Sequence, residues 1–211
     1  MSKIFLRRAQ DPDTYYTQEN NPTEERLKIM KSDGSLKTSF LQTCGPTAAM
    51  NIVAALSKSD KDFEIICQGG YKPQPEEVLS DYFTDSRNYK KFKKRRSDIE
   101  PGDYQGNEIP QYYVDAVLDV FGLNCVFKYG IGFSDIYRAI KGGRGVMLCL
   151  KYPGHFIAVV GIEYAEEKII YNDPWQRNPW PSRLKGTSGF LREMNKNEFE
   201  SNVKPYMVII G

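Results

Sequence analysis

The chain contains one histidine, His155, so any imidazole chemistry in it has a single owner. Four cysteines, Cys44, Cys67, Cys125 and Cys149, are the candidate nucleophiles. None stands in a Cys-x-x-Cys pair, and a single histidine cannot complete a two-histidine site, so the sequence implies no structural zinc and no other metal or cofactor. Cys44 stands apart from the other three. It is followed by Gly45-Pro46 and then by Ala48, Ala49, Met50, Ile52, Val53, Ala54, Ala55 and Leu56. Proline suits the first turn of a helix, and a helix apolar nearly all round is a buried one. Cys44 is therefore expected at the start of a central helix, whose positive end favours the thiolate, the reactive form of the thiol. The alternative for that position is a buried cysteine with no chemistry.

His155 follows Pro153-Gly154 and opens a strand-like run to Glu163; a second run, Lys168 to Tyr171, returns after a turn around Tyr164 to Glu167. Antiparallel pairing about that turn places His155 roughly opposite Asp173. A carboxylate there can hold one imidazole nitrogen and leave the other for a thiol, which is the nucleophile, base and orienter logic of covalent catalysis. Asn172 could play the same part but would point to the other face.

The elements needed to position these groups can be read coarsely. Residues 1–37 are polar and charged apart from Lys3 to Leu6, and read as an N-terminal extension packed loosely on a catalytic core of residues 38–211, all one domain. Pro75 to Phe83 reads as a helix. Ile109, Tyr112, Tyr113, Ala116, Val117, Val120 and Phe121 follow helical spacing, opened by Pro110 and closed by Gly122. Leu123 to Lys128 reads as a strand, Ser134 as the cap of a helix to about Ile140, and Gly145 to Lys151 and Tyr206 to Ile210 as further strands. The run after His155 is apolar on both faces and so belongs at the centre of a sheet. Helices first and strands afterwards predict an α+β fold with the two kinds segregated.

With these residues in view, the sequence resembles the papain-like cysteine peptidases of family 39, the bacteriocin-processing or double-glycine peptidases and their stand-alone relatives. The resemblance rests on Gln42-Thr43-Cys44-Gly45-Pro46-Thr47-Ala48-Ala49-Met50, on Gly154-His155-Phe156-Ile157-Ala158-Val159-Val160-Gly161 and on Asn172-Asp173-Pro174, in that order. It implies a helical lobe begun by the nucleophile helix, an antiparallel sheet lobe carrying His155 and Asp173, and a cleft between them. It implies Cys44 as nucleophile, His155 as general base and acid, and Asp173 as orienter. The family places its oxyanion glutamine further upstream of the cysteine, where this chain has Thr38; the nearby glutamine is Gln42, which becomes the candidate. Trp175 stands where papain-like enzymes often shield the histidine and its orienter from water. Trp175 and Trp180, with the loop around them, are candidates for a substrate-binding cleft wall. The resemblance does not extend to a membrane span or a Gly-x-x-x-x-Gly-Lys loop, so double-glycine leader specificity is not carried over.

Composition bounds the rest. Of 211 residues, 40% are hydrophobic and 27% charged, enough to bury a core. With 29 basic and 27 acidic residues the net charge is +2, which predicts no global attraction to nucleic acid or anionic membrane. The seven basic residues from Arg87 to Arg96 read first as a solvated helix face and, as the alternative, as a contact for an anionic partner, which the flanking Asp81, Asp85, Asp98 and Glu100 weaken. No apolar run is long enough for a transmembrane helix, and Met1 to Tyr15 lacks the apolar stretch of a signal peptide, so cytoplasmic synthesis is expected. The leading expectation is a thiol protease of bacterial or phage type, cutting peptide or other amide bonds. The alternatives are a peptidoglycan-cleaving lysin, and a non-catalytic binding or effector protein on the same scaffold.

Overall fold

The computed structural model of the protein describes residues 3–18, 29–30, 36–37, 43–66, 77–95, 109–152, 154–175 and 189–211. In chain order the strands are β1 (Ile4–Phe5), β2 (Ile29–Met30), β3 (Leu36–Lys37), β4 (Cys125–Tyr129), β5 (Gly145–Leu150), β6 (Phe156–Glu163), β7 (Lys168–Asn172), β8 (Arg192–Asn195) and β9 (Val203–Ile210). The helices are α1 (Cys44–Leu56), α2 (Asp60–Ile66), α3 (Glu77–Thr84), α4 (Tyr89–Arg95), α5 (Tyr113–Phe121), α6 (Phe133–Lys141) and α7 (Lys196–Asn202).

The main sheet runs β4-β9-β5-β6-β7-β8, with β1 added beside β6, and every pairing is antiparallel. β2 and β3 form a separate two-stranded ladder. All six residues of β5 and the first seven of β6 are buried, as expected for strands apolar on both faces. α1 lies against β5 and β6, and its residues Cys44 to Ala55 are all buried. That explains its composition: small and branched apolar side chains all round, because no face of it meets water. Aromatic side chains of the same apolar core knit α3, α4, α5 and the turn before α5 together. Phe92 stacks on Tyr112 at 4.4 Å, and Phe83 meets Tyr113 edge-on at 4.8 Å. The α+β arrangement with a helical layer on an antiparallel sheet is thus present as expected from the sequence.

Two local readings need correction. Gly132, not Ser134, caps α6; its N–H donates to Asp135, three residues on, and Ser134 lies inside the helix. The N-terminal segment is not loosely packed over residues 3–18. β1 pairs with β6, and Leu6 N–H donates to the Val160 carbonyl at 2.8 Å. Arg8 N–H donates to the Ala55 carbonyl at 2.9 Å. Buried Asn51 of α1 accepts from Tyr16 N–H at 2.9 Å and donates to the Tyr16 carbonyl at 3.0 Å, so one side chain satisfies a backbone donor and acceptor that would otherwise be stranded. A polar segment can be integral when its backbone makes contacts as well as its side chains, here Arg8 with Asp60 and Thr17 with Pro174.

Candidate active site

Cys44 begins α1, with Thr43 as the capping residue. Thr47 holds the first turn: its N–H and hydroxyl both bond the Thr43 carbonyl, at 3.0 and 2.8 Å. Cys44 is almost buried, 7% exposed, and lies close enough to the His155 imidazole to raise its pKa. His155 precedes β6 at the end of the turn after β5, where Leu150 N–H donates to its carbonyl at 2.7 Å. Gly154, at φ +87°, makes that turn in the left-handed region where a side chain would be strained.

Asp173 follows the last residue of β7. His155 Nε2 lies 2.6 Å from Asp173 Oδ1, and both side chains are buried. The sequence placed the two residues opposite each other. In the ladder Ala158 faces Asn172 and Val159 faces Tyr171, and a bulge then shifts the register before Gly161. Extending that register sets Asp173 two residues short of the position facing His155, on the same face, where a diagonal contact remains within reach. With Nε2 committed to Asp173, Nδ1 is the nitrogen left for the thiol.

Asp173 is held at every polar atom. Oδ1 also accepts from Trp175 N–H at 3.0 Å, and Oδ2 accepts from Arg192 Nη1 at 2.9 Å. Its own N–H donates to the Gly189 carbonyl at 2.8 Å, and its carbonyl accepts from the Tyr15 hydroxyl at 2.8 Å. Asn172, as expected, serves the other face: its Oδ1 accepts from Leu191 N–H at 3.0 Å. Trp175 sets its ring edge-on to the His155 ring, centroids 6.1 Å apart and planes at 72°.

The electrostatics follow from this packing. Burial alone would lower the His155 pKa, but the Asp173 hydrogen bond and charge, with the Cys44 thiol on the other side, outweigh it and raise the imidazole to about 10. Burial pushes the Cys125 thiol up to about 12 and raises that of Cys149 as well, so both are held as inert thiols.

Cys44, His155, Asp173 and Trp175 therefore come together at one place. Gln42, Thr38, Trp180 and Cys67 lie outside the described residues, as does Arg96 of the basic run. Within that run Arg87 pairs with Asp85 at 2.5 Å, Lys91 with Asp119, and Arg95 with Asp115 at 2.7 Å, the pattern of a solvated, ion-paired face. Among the described residues no cluster of three or more His, Cys, Asp or Glu side chains is placed to hold a metal, and no helix is long and apolar enough to cross a membrane. Sequence reasoning missed Arg192 and Tyr15. The one signal for Arg192 was its spacing of two from Met194, which puts both on the inner face of β8.

The model of the Peptidase_C39 like family matches residues 14–201, and the chain belongs to that family. No curated protein matches it. Among solved structures it is similar to a Bacillus anthracis protein provisionally named a C39-like peptidase, at 11% identity over 100% of this chain and 98% of that one, with a TM-score of 0.44.

Proposed function

We propose that the protein is a cysteine peptidase working through Cys44, His155 and Asp173. The observation that carries this reading is the single imidazole bonded through Nε2 to the buried Asp173 carboxylate, with Cys44 at the start of α1 near enough to raise its pKa. The Cys44 thiolate attacks the carbonyl carbon of the scissile amide. A C–S bond forms and the carbonyl electrons move to oxygen. The oxyanion meets the Cys44 N–H at the helix start, with the Gln42 side-chain amide as the second donor. On collapse the C–N bond breaks, the departing nitrogen takes the proton from the imidazolium, and a thioester remains on Cys44. Water then attacks the thioester and gives a proton to the neutral imidazole. The C–S bond breaks, the acid is released, and the thiolate–imidazolium pair returns.

Asp173 transfers no proton in this scheme. It fixes the imidazole's direction and favours its charged form. The edge-on Trp175 ring keeps water from the His155–Asp173 contact, and Trp180 belongs to the cleft wall. The substrate is a peptide or protein chain.

A thiol-directed fluorescent probe tests the assignment. It should label the wild-type protein at Cys44 and fail to label Cys44→Ala; equal labelling of both proteins would overturn it.

A further inference from the structure

We propose that Arg192 is a positioning residue for this chemistry: its buried guanidinium fixes Asp173 Oδ2 and supplies the compensating charge when His155 becomes neutral. The inference rests on the peptidase reading above and adds a residue that the triad does not contain.

Arg192 opens β8 and faces Tyr171 in the β7–β8 ladder. Asp173 lies two residues beyond Tyr171 on the same side, so the Arg192–Asp173 contact is a diagonal one across the sheet. The arginine side chain is 2% exposed and the aspartate 0%. An arginine is seldom buried so completely without a specific partner, because removing its charge from water is costly. His155 and Arg192 take different oxygens of one carboxylate, at 2.6 and 2.9 Å. Trp175 N–H also donates to Oδ1, so Arg192 is the donor that holds the second oxygen and with it the plane of the carboxylate.

The charges give the arrangement its purpose. In the mechanism proposed above, thiolate, imidazolium, carboxylate and guanidinium alternate in sign along one line. In the acyl-enzyme the sulfur is in a thioester and the imidazole has given up its proton. The carboxylate is still buried, and Arg192 balances it at that stage. Without the guanidinium, the carboxylate would hold the imidazole's proton more tightly, and the neutral imidazole needed to activate water would be scarcer. The titratable groups facing His155 are Cys44 from α1 and Asp173 from the end of β7. Asp173 is faced by Arg192 from β8 and, at its carbonyl, by Tyr15. Cys149 of β5 and Tyr206 of β9 interact with Cys44.

The single histidine makes the test direct, because one set of imidazole resonances in an NMR pH titration belongs to His155. The titration is run in Cys44→Ala, which removes the thiol's contribution and brings the midpoint into a convenient range. Adding Arg192→Gln should raise the midpoint by about one pH unit, the size expected for losing one nearby buried charge. Arg192→Lys keeps the cation and should leave the midpoint where it was. With Cys44 present, the acetyl-enzyme formed from p-nitrophenyl acetate should hydrolyse with a pH profile displaced upward in Arg192→Gln, while Arg192→Lys follows the wild type. A midpoint unmoved or lowered by Arg192→Gln overturns the proposal. Should that variant fail to fold, Arg192→Lys decides alone: a displaced midpoint in it contradicts a charge-holding role, and an unchanged one supports it. The titration needs no turnover, so a Cys44 that proved unreactive would sink the peptidase reading and leave this result standing.

Discussion

Tyr15 and Asp173, 158 positions apart in the chain, are joined by the Tyr15 hydroxyl donating to the Asp173 carbonyl at 2.8 Å. The same hydroxyl fills the space beside Gly189. A Cβ on residue 189 would lie 2.1 Å from the Tyr15 oxygen and 2.2 Å from the Asp173 carbonyl oxygen, so the close approach requires glycine. Tyr15→Phe should cost about 1 kcal/mol in urea unfolding, the net worth of one such hydrogen bond, and lower turnover a few-fold through a less fixed Asp173. Gly189→Ala should cost more, about 2–3 kcal/mol, because backbone must move to admit the methyl group. If both variants unfold at the wild-type midpoint, the N-terminal segment does not secure this loop.

Alkylation should be selective. At pH about 6 iodoacetamide should modify Cys44 well before Cys125 or Cys149, whose thiols burial holds protonated far above that pH. In His155→Ala the rate at Cys44 should fall, because the imidazolium that pairs with the thiolate is gone. Peptide mass mapping reads the order of labelling; Cys125 or Cys149 reacting first would contradict it.

Stability should depend on pH through His155. Its folded pKa of about 10 lies above the ordinary value of 6.5. A raised pKa means that the folded state binds the proton more tightly than the unfolded one. The contribution is therefore fully present below about pH 6.5 and fades as pH rises toward 10. The total is on the order of a few kcal/mol. Urea midpoints from pH 6 to 10 should fall more steeply for the wild type than for His155→Gln. Parallel slopes would show that the imidazolium does not support the fold.

Asp173→Asn and His155→Ala should differ in degree. Loss of the general base should lower kcat/KM by about 10²–10⁴-fold. Asp173→Asn should lower it less, since the carboxylate orients and moves no proton. It should also bring the His155 midpoint down in an NMR titration, because a carboxylate that raises it is gone. A midpoint unchanged in Asp173→Asn would count against the contact as described.

Much of the site was legible because its signals are local. Gly45-Pro46 and an apolar run broken only by Asn51 gave α1 and the place of Cys44, and the symmetry of a short hairpin brought His155 near Asp173. The bulge between Val159 and Gly161 was invisible: nothing in Val159-Val160-Gly161 says which strand takes the extra residue, and the pairing shifted without separating the two side chains. Arg192 and Tyr15 were not legible for a different reason. Each acts through a contact more than ten residues distant in sequence, Arg192 from a four-residue strand and Tyr15 from a polar segment whose order comes in part from backbone hydrogen bonds. The period-two spacing of Arg192 and Met194 points Arg192 inward but does not name its partner, and nothing in the spacing of residues 3–18 announces Tyr15.

The central claim is that Cys44 cuts amide bonds, and mass spectrometry of new chain ends reads this directly. A library of denatured-protein peptides, with purified peptidoglycan in a parallel arm, is incubated with the wild type, Cys44→Ala and His155→Ala, all shown to be folded. New amino termini should accumulate in the peptide library with the wild type and be absent with both variants. Cleavage that persists in Cys44→Ala, or a wild type that generates no new termini in either arm although its Cys44 is selectively alkylated, would contradict the account.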